Sequence, residues 1–199
     1  SVALEIRNPL STVSGYLQLF LRRPAFKDYV DVFNLLLSEL DRANQIIREY
    51  LSLSQSKLVI LKKCDLNFII KNIFPLIQAY ACSIQLVLGE IPEIKLDEKE
   101  IRQLLLNLVR NGLEAMHPGG IVTIKTTYHK NIVALAITDQ GTGIPKDILE
   151  NIGKPFVTTK ATGTGLGLAT CYQIANRHNA TINIETSRQG TTFTINFPV

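Results

Sequence analysis

The chain has 199 residues, 46% of them hydrophobic, and a formal net charge of +4, enough for one large or two small domains with a real core. No apolar stretch approaches membrane-spanning length, and no charged segment leads into an apolar run and a cleavage site. The basic residues are scattered, which argues against nucleic acid as a partner, and Cys64, Cys82 and Cys171 share no metal-ligand spacing, so they read as reduced core thiols in a cytoplasmic protein.

The pattern begins inside a helix, so the chain is expected to be a fragment of a longer protein with a sensing part upstream. Ala3, Ile6, Leu10, Val13, Leu17 and Phe20 recur at steps of three and four, the seam of a bundle helix that Arg22-Arg23-Pro24 ends. A second seam follows in Phe33, Leu36, Leu40, Ala43, Ile47 and Tyr50, widened by Leu37 and Leu51. A two-helix hairpin cannot bury both stripes by itself, so the expected unit is a homodimer closing a four-helix bundle. Pro9 removes a backbone donor and should bend the first helix. Leu4, Glu5 and Asn8 fall off the seam and are expected on its exposed side.

Residues 52–63 carry a linker without Gly or Pro, and the domain boundary is placed near Lys57, giving a helical hairpin at 1–56 and a second domain at 57–199. There Asp65 can cap a helix carrying Phe68, Ile69, Ile73, Leu76 and Ile77, with Pro75 expected to strain it, and Ile84–Leu88 reads as a strand. Asp97 with Glu100 matches a capping box opening the longest helix of this half. Leu104, Leu105 and Leu108 supply its packing face, while Asn107, Asn111 and Glu114 line up on another stripe. Gly112 should cost this helix about 1 kcal/mol relative to alanine, for no reason visible in the sequence. Two β-rich runs, 121–127 and 132–138, flank a turn at 128–131, and Lys146–Ile152 suits one short helix. A helix after Gly167 ends where Asn179 suits a left-handed cap, and strands at 181–185 and 192–197 make a second hairpin with Phe193, Ile195 and Phe197 on one buried face. The sum is an α+β sandwich, a mixed sheet covered on one side by helices.

The glycine-rich loops carry the chemistry. Asp139-Gln-Gly141-Thr-Gly143 is a tight turn leaving an apolar strand. Gly163-Thr164-Gly165-Leu166-Gly167-Leu168 opens a helix, where unpaired N–H groups and the helix dipole favour phosphate. The Asp139 carboxylate suits an uncharged donor such as an adenine amino group, and Gly141 and Gly143 let the backbone approach it. Alone, Asp139 would be a turn former and Asn107 and Asn111 polar helix surface; two glycine loops in this order weigh against both. Thr158, Thr159 and Lys160 place hydroxyls and a cation beside the expected phosphates, Arg110 reads equally as a phosphate contact or a solvated charge, and 161–165 is small enough for a hinge.

Asn107-Leu-Val-Arg-Asn111-Gly-Leu-Glu-Ala115, Asp139 to Gly143, Lys154-Pro-Phe-Val-Thr-Thr-Lys160 and Gly163 to Leu168 resemble, in that order, the ATP-binding domain that sensor histidine kinases share with gyrases, heat-shock chaperones and mismatch-repair ATPases. Glu5-Ile-Arg-Asn-Pro-Leu10 resembles the histidine kinase phosphoacceptor box, with Leu4 where the family has its histidine. The resemblance covers essentially the whole chain. It implies ATP and Mg²⁺ as cofactors, Asn111 as the Mg²⁺ ligand beside the phosphates, and Phe156 as an aromatic anchoring a nucleotide lid. It further implies phosphoryl transfer to a histidine and then to the receiver domain of a response regulator. In ATP-hydrolysing relatives a glutamate at the position of Asn107 activates water, which an amide cannot do, so hydrolysis should be slow. Leucine offers no lone pair, so this chain is expected not to autophosphorylate, although Glu5 would suit the proton of a histidine there. Two other readings stay open: a nucleotide-binding pseudokinase scaffold, and a response-regulator phosphatase in which Glu5 and Asn8 orient a water. His117, His129 and His178 lack the acceptor context and read as surface histidines.

Overall fold

This computed structural model describes residues 2–54, 59–78, 84–160 and 163–199, with the side chains of 2–7 and 52–54 outside the description. The expectations at Ala3, Leu4, Glu5, Ile6, Lys57, Cys82 and Ala161 fall on those undescribed parts. The chain divides into two compact units, Ser1–Ser56 and Lys57–Val199. Among the described residues no helix is long and apolar enough to cross a membrane.

The first unit is a hairpin of α1 (Val2–Leu21) and α2 (Val30–Ser54), and α1 continues across Pro9. A 3₁₀ turn at Pro24–Tyr29, with proline at its start, joins them. Phe26 from that turn lies 5.0 Å from Phe20 and 5.9 Å from Phe33, ring centre to ring centre, so three aromatics lock the hairpin tip. Below the tip the hairpin covers its apolar stripes only in part. Leu17 is the buried apolar residue of this unit among the described side chains, while Val13, Tyr16, Leu19, Val32, Leu35 and Leu36 stay exposed.

The second unit is a five-stranded sheet in the order β2-β4-β5-β7-β6. Its strands are β2 (Ile84–Leu88), β4 (Val122–His129), β5 (Ile132–Thr138), β6 (Thr181–Ser187) and β7 (Gly190–Pro198). β2 runs parallel to β4 and the other pairs are antiparallel, so the sheet is mixed. Period-two alternation sends Val122, Ile124, Val133, Leu135, Ile137, Phe193, Ile195 and Phe197 into one face. Against them pack α3 (Leu66–Gln78), α4 (Glu98–Ala115) and α6 (Gly167–Arg177), through Ile70, Ile73, Leu104, Leu105, Leu108 and Ile174. The opposite face presents Thr123, Lys125, Ala134, Thr194 and Asn183, each half-buried or exposed.

Several local expectations change in the folded chain. β1 (Lys62–Cys64) lies where a linker was expected and pairs antiparallel with β3 (Ile94–Leu96), a strand with no local signal strong enough to read. The turn between β4 and β5 closes on Lys130 and Asn131, both at positive φ (48° and 61°), and so is two residues tighter than expected. α5 spans only Lys146–Leu149, because the chain leaves it through turns that end at Gly153, φ 85°. Asp65 caps α3 as expected, its Oδ1 accepting from the N–H of Asn67 and Phe68, and α3 passes Pro75 to reach Gln78. Asn179 takes the left-handed conformation at φ 53°.

The capping box is only half made. Asp97 Oδ1 accepts from the N–H of Lys99 and Glu100, but Glu100 turns away to pair with Arg177, 2.9 Å from its Nη2. The Asp97 N–H donates instead to His178 Nε2 at 3.0 Å, and His178 Nδ1 meets the Ile174 carbonyl at 2.8 Å. His178 is therefore no surface histidine; its side chain is fully enclosed. Both ring nitrogens are committed, one as acceptor and one as donor, which sets the neutral Nδ1–H tautomer. This cluster joins the first turn of α4 to the last turn of α6. His178→Ala leaves the Asp97 N–H without its acceptor and opens a void beside Phe197, for an expected loss of about 2 kcal/mol in denaturant unfolding. A loss within about 0.5 kcal/mol would sink that role for the histidine.

Candidate nucleotide-binding site

Asp139 leaves the end of β5 with 5% of its surface exposed. Its Oδ1 accepts from the Gly141 N–H at 2.8 Å and the Thr191 N–H at 3.1 Å, so Oδ2 remains to receive a donor from the cavity. Burial pushes the Asp139 carboxyl above the usual carboxylate range; the two N–H groups and the Lys160 ammonium oppose that rise more weakly. The folded chain thus holds this proton more tightly than the unfolded one. Stability from this site is fullest below the ordinary carboxylate value and falls as pH rises through the raised one. Asp139→Asn should remove that decline from acid-range denaturation curves.

Glycines pack the surroundings onto this carboxylate. A Cβ on Gly112 of α4 would stand 3.1 Å from Asp139 Cβ, which supplies the reason for a glycine inside that helix. Gly190, at φ 139°, would place a Cβ 2.0 Å from the Asp139 carbonyl, and Gly143, at φ 79°, one 2.0 Å from the Ser187 carbonyl. No side chain fits either position. The Ile144 N–H donates to Thr186 Oγ1 at 2.9 Å, pinning the loop after Gly143 to β6. Gly190, Thr191 and Thr186 belong to the site although sequence reading passed over them; the only signal was Gly190 in a hairpin turn.

The cavity beside Asp139 is lined by Arg110, Asn111, Gly143, Thr158, Thr159, Lys160, Gly163, Thr164, Gly165 and Gly167. Ile144, Ile148, Ile152, Val157, Leu168 and Phe193 give it an apolar wall. A flat apolar ring with an amino edge fits that wall against the free oxygen of Asp139. α6 begins here, and no side chain caps it at Leu166, a residue wholly buried beneath the loop. Its first N–H groups therefore offer partial positive charge to an anion. Thr158 Oγ1 accepts from the Lys160 N–H at 3.1 Å, and Thr164 Oγ1 from the Leu166 N–H at 3.3 Å.

Three sequence-derived residues sit differently from the rest. Asn107 does not line the cavity; its Nδ2 donates to the Gly167 carbonyl at 3.2 Å, tying α4 to the first turn of α6. Gly141 is buried with its N–H on Asp139 and no room for a Cβ, which would lie 2.7 Å from the Ala115 carbonyl. Phe156 is 58% exposed and sits at φ 68°, its N–H donating to the Gly165 carbonyl, so its backbone rather than a buried ring meets the glycine loop. Cys171, enclosed on α6, has its thiol pushed up to about 12 by burial, with the Asn107 amide as a weaker opposing influence. A reactive thiol is thereby excluded.

No cluster of His, Cys, Asp or Glu able to hold a metal occurs among the described residues. The neutral amide of Asn111 in the cavity wall fits a hard cation that arrives with phosphate oxygens better than a resident metal. In the first unit Asn8 is exposed on α1, with the Thr12 hydroxyl on its carbonyl.

Comparison with known proteins gives one family match in each unit. Residues 96–199 match the family described as histidine kinase-, DNA gyrase B- and HSP90-like ATPase, and residues 1–58 match the His Kinase A (phospho-acceptor) domain. Sporulation kinase C of Bacillus subtilis is 34% identical over 205 residues, covering 100% of this chain and 47% of that protein. Sensor histidine kinase ZraS of Escherichia coli K12 is 36% identical over 205 residues, covering 100% of this chain and 44% of that protein. The chain thus spans about half the length of these relatives. Among solved structures, histidine kinase ThkA in complex with the response regulator protein TrrA aligns over 99% of this chain and 59% of its own, with a TM-score of 0.70 and 28% identity. Full-length ShkA in complex with AMPPNP aligns over 99% of this chain and 44% of its own, with a TM-score of 0.84; at 22% identity the likeness is one of fold.

Proposed function

The chain belongs to the sensor histidine kinases, and from that premise we propose that it is a nucleotide-binding, dimer-forming core that takes Mg-ATP or ADP and cannot phosphorylate itself. The observation that carries the nucleotide reading is the convergence on one cavity of a buried carboxylate with a free oxygen, an apolar wall, and an uncapped helix start flanked by Lys160. Asp139 Oδ2 accepts from the adenine amino group. The N–H groups of Gly167 and its neighbours, with Thr158, Thr159 and Lys160, hold the phosphates. The Asn111 amide, with phosphate oxygens, would hold Mg²⁺, which would supply neutralisation of the phosphate charge. Asn107, held on the Gly167 carbonyl outside the cavity, supplies no basic lone pair for activating water, so hydrolysis of bound ATP is expected to be slow. The exposed stripes of α1 and α2 close against a second copy, and the whole protein would pass phosphate to a response regulator, as the ThkA–TrrA complex suggests.

Calorimetric titration of this chain with ATP, ADP and adenosine in Mg²⁺ tests the nucleotide reading. One site per chain is expected, tighter for ATP than for adenosine; no heat at millimolar ligand would sink it.

The exposed Asn8, one turn from a position with no acceptor, favours a second reading, removal of phosphate from a regulator by a water that Glu5 and Asn8 orient. Loss of label from a phosphorylated receiver domain, abolished by Asn8→Ala, is its signature. A label that persists with the unaltered chain excludes it.

A further inference from the structure

Glu114 stands in the cavity wall where the proposed chemistry asks for no carboxylate. It lies on α4, three residues beyond Asn111, and its two oxygens face two different cations. Oε2 pairs with the Lys160 ammonium, which comes from a loop 46 residues away, and Oε1 lies 3.6 Å from Arg110 Nε one turn back on the helix. All three side chains line the cavity that also contains Asn111, Thr158 and Gly167. Lys160 is thus already satisfied by a protein anion. A phosphate at the start of α6 has to compete for that ammonium and also meets the negative charge of Glu114.

We infer that Glu114 is an internal counter-anion that phosphates displace from Lys160, so that this carboxylate determines how strongly the pocket distinguishes nucleotides by phosphate charge. The inference rests on the nucleotide reading above. A nucleoside leaves Lys160 on Glu114 and is indifferent to the exchange. Each added phosphate charge pulls harder on the ammonium and is repelled more by the carboxylate, and the exchange keeps the complex readily reversible. The pair is partly exposed, 35% for Lys160 and 45% for Glu114, so its influence is screened by salt rather than absolute.

The test is titration of the full chain and its Glu114→Gln variant with adenosine, ADP and ATP in Mg²⁺, at low and high salt. Glu114→Gln should bind ADP and ATP about fivefold more tightly, the scale of a partly exposed ion pair, with adenosine unchanged and the gain shrinking in high salt. Lys160→Gln should weaken ATP binding more in the Glu114→Gln background than in the unaltered chain, because only there is the ammonium unopposed. Equal or weaker ADP and ATP binding by Glu114→Gln, or a matching gain for adenosine, overturns the inference while leaving the nucleotide reading intact. If neither chain binds any of the three ligands, both fall together.

Discussion

Replacing Leu4 with histidine is expected to turn a chain that takes no phosphate from ATP into one that carries acid-labile, base-stable label on that residue. The effect is close to all-or-none, because a leucine side chain has no lone pair to attack phosphorus and an imidazole nitrogen does. In the variant a nitrogen–phosphorus bond forms at the terminal phosphate, the bond to the bridging oxygen breaks, ADP leaves, and the imidazole proton passes to Glu5. The unaltered chain, incubated beside it with labelled Mg-ATP, should stay unlabelled. If neither chain is labelled while both bind ATP, the pseudokinase scaffold becomes the better reading. Label on the unaltered chain would show that the acceptor lies elsewhere than position 4.

Asp139→Asn is the substitution expected to weaken nucleotide binding most, by about a hundredfold, corresponding to roughly 3 kcal/mol for a charge-assisted hydrogen bond turned into a donor facing a donor. The fold should survive it. The asparagine oxygen can still accept from the Gly141 and Thr191 N–H groups that Asp139 Oδ1 now satisfies, which turns its amide NH₂ toward the cavity. Calorimetry with ATP and a thermal melt of the same sample separate the two effects. Affinity within about threefold of the unaltered chain would overturn the adenine-reading role proposed for Asp139.

Much of this protein was legible locally. Steps of three and four in apolar residues marked α1, α2 and α4, β-rich composition marked β4 and β5, alternation marked β7, and Asp65, Asp97 and Asn179 cap the helices that their types and positions suggested. The glycine loops announced an uncapped helix start beside a cavity because both the need for close approach and the helix terminus are properties of a few consecutive residues.

What the tertiary structure alone decided lies in partners far apart along the chain. Cys64 pairs with Ile94 through strands too short to carry a periodic signal. Glu100 abandons its capping role for Arg177, 77 residues on, and His178 takes its place at the Asp97 N–H, 81 residues from it, since a buried carboxylate and a buried imidazole each require a partner. The carboxylate of Asp139 was visible in the sequence, yet its orientation depends on Thr191, 52 residues away, and on the space left by Gly112 and Gly190. Sequence by itself determined the longer elements and the chemical types in the site, because those follow from spacing and local backbone freedom. Which side chains satisfy one another, and which oxygen is left for a ligand, followed only when the sheet and helices packed, because buried polar groups take their partners from whatever the fold brings within hydrogen-bonding distance.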